Sequence, residues 1–224
     1  MAIKKNDFIE ISFTGMIKET KEVFDTTEES VAKSNNLHDT HSKYGSRVIC
    51  VGHGFVLDGI DRQLVGKSAG KYHFDVSPEE GFGKKDAKLI RMVPFKNFIA
   101  NKINPAPGLQ VNFDGSIGTV KTVGGGRVVV DFNHPLAGKE LHYDVEIKRE
   151  VSEKKEQVEA LLKNIGFMRI KTTIEGNKAT VETVKTVPKE LSDIILPKIK
   201  ELTGVDAVFV TEKSEKKQDT TPQQ

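Results

Sequence analysis

Six histidines, one cysteine, a run of three glycines and a scatter of carboxylates are the groups in this 224-residue chain whose types could do chemistry. Each chemistry needs its own spacing. No His-Glu-x-x-His pair or assembled cysteine–histidine arrangement occurs. Cys50 is the only cysteine, so neither an internal disulfide nor a zinc site built on several thiolates can form. His38 and His41 lie three apart, and His134 and His142 flank a loop. Scattered histidines more often serve as surface or hydrogen-bonding residues, and no metal or other cofactor is expected. Gly124-Gly125-Gly126 runs into Arg127 and a Val-rich strand rather than into a Lys-Ser/Thr pair opening a helix, so it reads as a turn and not a phosphate loop. By residue type alone, Asp25 before Thr26 and Thr27 suits a turn or cap. Phe13, Val56, Leu57 and Tyr143 suit a core.

The elements that must position these residues come from composition and periodicity. Hydrophobic residues make up 37% and charged residues 29%, the balance of an ordinary globular protein. The length exceeds the roughly 100–150 residues of a usual domain, so two or three compact units are expected. No apolar run follows Lys4 and Lys5, and nowhere do about 18 apolar residues stand together. Secretion and membrane spanning are not expected, and a reducing, cytoplasmic setting is. The net charge is +2, but residues 84–138 hold eight Lys or Arg against three acids. That basic segment fits a nucleic acid, a ribosome surface or acidic clients, or else a solvated face without a partner.

Ile9, Ile11 and Phe13 alternate with polar residues, as do Leu141, Tyr143, Val145 and Ile147, which predicts two half-buried strands sharing one sheet. The first unit is then discontinuous, and the segment between is an insertion. Val48–Val51 and Lys71–Val76 read as further strands, with a helical stretch from Ile60 to Val65 ending at Gly66. Within the insertion, 110–113, 117–123 and 127–132 read as a small β unit. Beyond Val151, helical spacing before Gly166, a hairpin around Glu175-Gly176-Asn177, a helix over 188–202 containing Pro197, and a last strand over 205–211 predict a small α+β domain. Pro197 is expected to kink or restart its helix. Residues 213–224 have nothing to bury and are expected to be a disordered tail.

Five strings in this order carry a family resemblance: Phe13-Thr14-Gly15; Val23-Phe24-Asp25-Thr26; Val51-Gly52-His53-Gly54-Phe55-Val56-Leu57-Asp58-Gly59; Ser77-Pro78-Glu79-Glu80-Gly81-Phe82-Gly83; and Val130 to Lys139 with Asn133-His134-Pro135-Leu136-Ala137-Gly138 at its centre. Over residues 3–151 the chain resembles the FKBP-type peptidyl-prolyl isomerases, specifically the SlyD-like branch with a domain inserted in the flap. Residues 152–212 more distantly resemble the C-terminal domain of long archaeal members. The resemblance implies an α+β fold: an FKBP-like antiparallel sheet wrapped on a short helix over 1–83 plus 138–151, a small β-rich chaperone domain over 84–137, and a C-terminal α+β domain.

It also implies an apolar pocket for the proline ring. Catalytic positions are Phe13, Phe24, Asp25, Phe82 and Tyr143. Ile49, Val56, Leu57 and Ile60 bind substrate, with the backbone N–H near Leu57 meeting the substrate backbone. Ile60 stands where many members place a larger aromatic floor, and Phe82 where a tyrosine hydroxyl is common. In the insert, Leu89, Ile90, Met92, Val93, Phe95 and Phe98 form either an adaptable client-holding surface or the insert's own core. Implied partners are unfolded or nascent proline-containing polypeptides, with self-association through the C-terminal domain and ribosome contact as further expectations. The rival reading is a non-catalytic holdase or a basic adaptor for ribosomes or nucleic acid.

Overall fold

The computed structural model describes residues 2–113 and 115–211; the tail expected over 213–224 lies outside the described residues. In chain order, β1 (Phe8–Ile17), β2 (Val23–Thr26), α1 (Glu29–Ser34), β3 (Arg47–Cys50), α2 (Asp58–Leu64) and β4 (Gly70–Val76) come first. A β-rich stretch follows: β5 (Ile90–Pro94), α3 (Phe95–Ala100), β6 (Gln110–Phe113), β7 (Ser116–Gly124) and β8 (Arg127–Asp131). Then β9 (Leu141–Glu150) leads to α4 (Lys154–Asn164), β10 (Ile170–Glu175), β11 (Lys178–Thr183), α5 (Lys189–Thr203) and β12 (Asp206–Thr211).

The strands make three sheets. In the first, β1 pairs with β9 along one edge and with β2 and β3 along the other, and β4 closes against β9, all antiparallel. The two alternations read from sequence therefore do share one sheet, although the whole β5–β8 stretch separates them. Their inward residues, with Phe74 and Val76 of β4, lie under Ile60 and Leu64 of α2 as one buried cluster. Each such side chain contributes about 1.5–3 kcal/mol of burial, largely offset by the entropy of ordering the chain. The α+β class expected from the resemblance is the class observed.

The second sheet has the order β5-β8-β7-β6 over a core of Phe98, Val111, Val120, Val128 and Val130. Its turn holds Gly125 and Gly126 at φ of 55° and 72°, a conformation that costs glycine little. The chain leaves the first sheet and re-enters it at one neck. There the Gly138 N–H donates to the Gly83 carbonyl at 2.8 Å, and the Asp86 N–H donates to Asn133 Oδ1 at 2.8 Å. Lys85 Nζ meets the Asp131 carboxylate at 3.2 Å.

In the third sheet, β10 and β11 form the expected hairpin, and α5 carries the chain across to lay β12 parallel to β11. Its core is continuous with Phe8 and Cys50 of the first sheet and with Val151 just after β9. Arg149 bonds Glu10 at 2.6 Å and Glu156 of α4 at 2.5 Å across the same junction. Pro197 lies inside α5 without breaking it: the helix runs from Lys189 to Thr203, with Ile195 and Ile199 buried on either side. Packing of that apolar face holds together what proline's missing hydrogen bond loosens.

Candidate functional site

Phe24 of β2 is the hub of an aromatic group. Its ring meets Tyr143 of β9 edge-on at 5.7 Å and Phe82 edge-on at 6.2 Å, while Phe13 of β1 lies 6.0 Å from Tyr143. The backbone allows this because Gly15 pairs with Tyr143 on one side and with Asp25 on the other. A Cβ on Gly15 would stand 2.6 Å from Tyr143 Cε1 and 2.9 Å from Phe24 Cζ. The absent side chain lets both rings lie over the strand, which gives the Phe13-Thr14-Gly15 string its physical reason.

In front of Phe24 and Phe82 opens a cleft of about 480 Å³, with Asp25, His134, Pro135 and Leu136 completing its wall and Glu22 and Lys139 also lining it. The His134 ring stacks flat on Phe82 at 4.4 Å. A smaller recess of about 160 Å³ shares Phe24 and Asp25 with it and is otherwise lined in part by Tyr44, Lys43 and Arg47. The cleft is thus aromatic at its back and carries charge of both signs around it.

The structure divides the sequence-predicted residues. Phe24, Asp25 and Phe82 stand at the open cleft. Phe13, Tyr143, Ile49 and Ile60 are at most 7% exposed and lie in the cluster behind it, against which Val56 and Leu57 are packed half-buried. Burial pushes the Tyr143 phenol far above its ordinary range, with the Asp25 carboxylate adding to the shift, so the phenol keeps its proton. His134, Pro135 and Leu136 were not singled out as wall residues. Their signal was membership of the fifth motif string, which places them at the point where the insert returns.

Two further sequence readings change. Among the insert residues, Phe98 is fully buried: α3 turns it onto the sheet, where it meets Phe113 edge-on at 5.1 Å. It belongs to the insert's core rather than its surface. Leu89, Val93 and Phe95 are half-buried, whereas Ile90 and Met92 are exposed, joined by Ile99 and Ile117. Several histidines, read from sequence as scattered surface or hydrogen-bonding residues, meet ring partners that their spacing does not indicate. His38 stacks on Tyr44, His134 stacks on Phe82, and His142 meets His73. Gly66-Lys67-Ser68-Ala69-Gly70 has the letters of a nucleophile turn, but it runs from helix to strand, the reverse of the order that turn requires.

A five-stranded antiparallel sheet over a short helix, with an aromatic cleft beside one carboxylate and a β-rich insert, defines a class. The chain belongs to the FKBP-type peptidyl-prolyl cis-trans isomerases. The relatives place it more finely. It is 29% identical over 147 residues to the short-type peptidyl-prolyl cis-trans isomerase of Methanocaldococcus jannaschii, covering 65% of this chain and 92% of that one. It is 37% identical over 103 residues to a probable FKBP-type 16 kDa isomerase of Pseudomonas fluorescens, covering 43% and 67%. It is 38% identical over 101 residues to SlyD of Haemophilus influenzae, covering 43% and 53%. The family model described as "FKBP26, IF domain" matches residues 91–136. Among the described residues, no helix is long and apolar enough to cross a membrane.

Proposed function

We propose that the cleft bounded by Phe24, Asp25 and Phe82, backed by Phe13 and Tyr143, receives a prolyl ring and eases rotation of the X-Pro bond. Amide resonance opposes that rotation with a barrier of about 18–20 kcal/mol. The twisted amide is less polar than the planar one, so an apolar wall favours it over water without any covalent step. A thousandfold acceleration needs about 4 kcal/mol of such preference. The observation that carries this reading is an open cleft walled by the rings of Phe24 from β2 and Phe82 from the loop after β4, with the buried rings of Tyr143 and Phe13 packed in series behind Phe24. In the same reading Asp25 faces the substrate carbonyl region, and Val56, Leu57, Ile49 and Ile60 shape the floor.

The insert, residues 84–137, holds unfolded or nascent proline-containing clients in this reading. The exposed Ile90, Met92, Ile99 and Ile117 support that role. Tethering a client there raises the local concentration of prolyl bonds at the cleft. The buried Cys50 fits a reducing, cytoplasmic setting.

The test compares the intact protein with a form in which residues 84–137 are replaced by a short loop joining Gly83 to Gly138. Short-peptide isomerisation is expected to survive, and acceleration of proline-limited refolding to fall sharply. Equal loss of both would remove the division of labour. A folded Asp25→Ala/Phe82→Ala variant with unchanged peptide isomerisation would move the pocket elsewhere. If binding is instead governed by the basic insert alone, it will weaken steeply with salt and be indifferent to proline.

A further inference from the structure

On the face of the first sheet opposite the core, β4 and β9 each carry the sequence His-x-Asp: His73-Phe74-Asp75 and His142-Tyr143-Asp144. Antiparallel register sets His73 against Asp144 and Asp75 against His142. The result is a square in which histidine and aspartate alternate. His73 Nδ1 lies 2.5 Å from Asp144 Oδ1, and His142 Nε2 lies 3.4 Å from the same oxygen. The two imidazoles stack 14° from parallel at 5.8 Å. One ligand atom from each of His73, His142 and Asp144 falls within 4.8 Å of the others.

The fourth corner has a different role. His142 Nδ1 meets Asp75 Oδ1 at 2.7 Å, and Asp75 Oδ2 is held by Lys18 at 3.0 Å. A carboxylate on one ring nitrogen fixes the tautomer that leaves the other with its lone pair free, the arrangement found behind metal-bound imidazoles. That lone pair, on His142 Nε2, then points at an aspartate oxygen. The same oxygen takes the His73 Nδ1 contact, so three potential metal ligands meet at one point, and a divalent ion there would replace the His73–Asp144 hydrogen bond. Metal bonds of about 2.0–2.1 Å at tetrahedral angles set ligand atoms about 3.4 Å apart, which matches the separation of His142 Nε2 from Asp144 Oδ1. The His73 side chain is 72% exposed and free to turn its ring onto the same point. Lys18 engages Asp75 and Glu140, and in the next register pair along the face Glu146 stands opposite Lys71, setting a carboxylate against that cation.

We propose that His73, His142 and Asp144 form an exchangeable site for a divalent transition metal of the zinc, nickel and copper class, with Asp75 as the positioning residue behind His142. Two imidazoles and one carboxylate select these ions over magnesium and calcium, which prefer all-oxygen shells. Three protein ligands leave a coordination position open to water. The site lies on the sheet face away from the proline cleft and stands independently of the isomerase reading.

The test uses the full-length protein stripped with chelator. Zn²⁺ titrated by calorimetry, with Mg²⁺ as control, is expected to show one saturable site. Affinity should fall more than tenfold in His73→Ala/His142→Ala and about tenfold in Asp75→Asn. It should be unchanged in His38→Ala/His41→Ala. On the unmodified protein, histidine-ring NMR should show Zn²⁺ shifting His73 and His142 while His38, His41, His53 and His134 stay in place. Absence of saturable Zn²⁺ binding, equal affinity in the His73/His142 variant, or ring shifts confined to the other four histidines would each overturn the proposal.

Discussion

Gly15→Ala is the smallest change that bears on the aromatic group, because one methyl must share space with two rings. Its Cβ would sit 2.6 Å from Tyr143 and 2.9 Å from Phe24. Carbon atoms pack at roughly 3.5–4.0 Å, so each ring has to retreat by about 1 Å. Tyr143 is 3% exposed within the core cluster whereas Phe24 is only partly buried against it, so the strain falls on Phe24 and on the spacing of β1 from its partners. Overpacking of this kind costs about 1–3 kcal/mol. In a chain of this size, each kcal/mol lowers Tm by roughly 2–4 °C. A displacement of about 1 Å at a positioned group can cost a hundredfold in rate. We expect kcat/KM on a short prolyl peptide to fall at least tenfold, with a Tm loss of a few degrees. Gly124→Ala is the control, since a Cβ there has nothing within 4 Å. Gly15→Ala with the expected Tm loss but an unchanged kcat/KM would show that these rings are structural packing and not the wall of the reactive cleft.

Three further outcomes follow from other parts of the molecule. Burial pushes the Cys50 thiol up to about 12, so the native protein should resist a thiol reagent at pH 8 and react only as it unfolds, which a disulfide-exchange dye reads directly. Burial raises the Asp131 carboxyl, but hydrogen bonds from Asn133 and Lys85 outweigh it and hold the group below its ordinary range. Its contribution is therefore present above about pH 4 and lost as pH falls through the folded value. Asp131→Asn should melt earlier than the wild-type protein at pH 6, with roughly 1–2 kcal/mol lost, and the difference should narrow as pH falls below the ordinary carboxylate range. Arg149→Ala removes the ion pairs that tie β1 and β9 to α4. Because Arg149 is half exposed and its ion pairs are screened by solvent, the loss should be small, visible as faster hydrogen exchange in α4 with the first sheet unchanged.

What the sequence made legible follows from range. Strict alternation in β1 and β9 needs only neighbouring residues, and it identified the two longest strands and their shared sheet. β2 and α1 escaped because they are short: α1 buries only Ala32, too little for a periodic signal. The site was visible in part for a similar reason. Phe24, Asp25 and Phe82 came from local strings, whereas the division into an open wall and a buried floor depends on how far β1, β9 and α2 close over one another. Surface and core could not be told apart for Phe98 because an apolar run that changes from strand to helix at Pro94 changes which residues face inward. The pairing of His73 with His142 could not be read from spacing at all, since only the β4–β9 register places them side by side.

The neck at Gly83 and Gly138 bears on the order in which the polypeptide assembles. To the first sheet, everything between those two glycines is a single closed loop, whatever its contents. Closing a flexible loop costs about 0.6 kcal/mol more for each doubling of its length. If β5–β8 collapse first, by their own nearer pairings, the tether between β1 and β9 shortens before those distant strands must meet. The small sheet would thereby act as an internal splint during synthesis, bringing the last strand of the larger sheet within reach of the first.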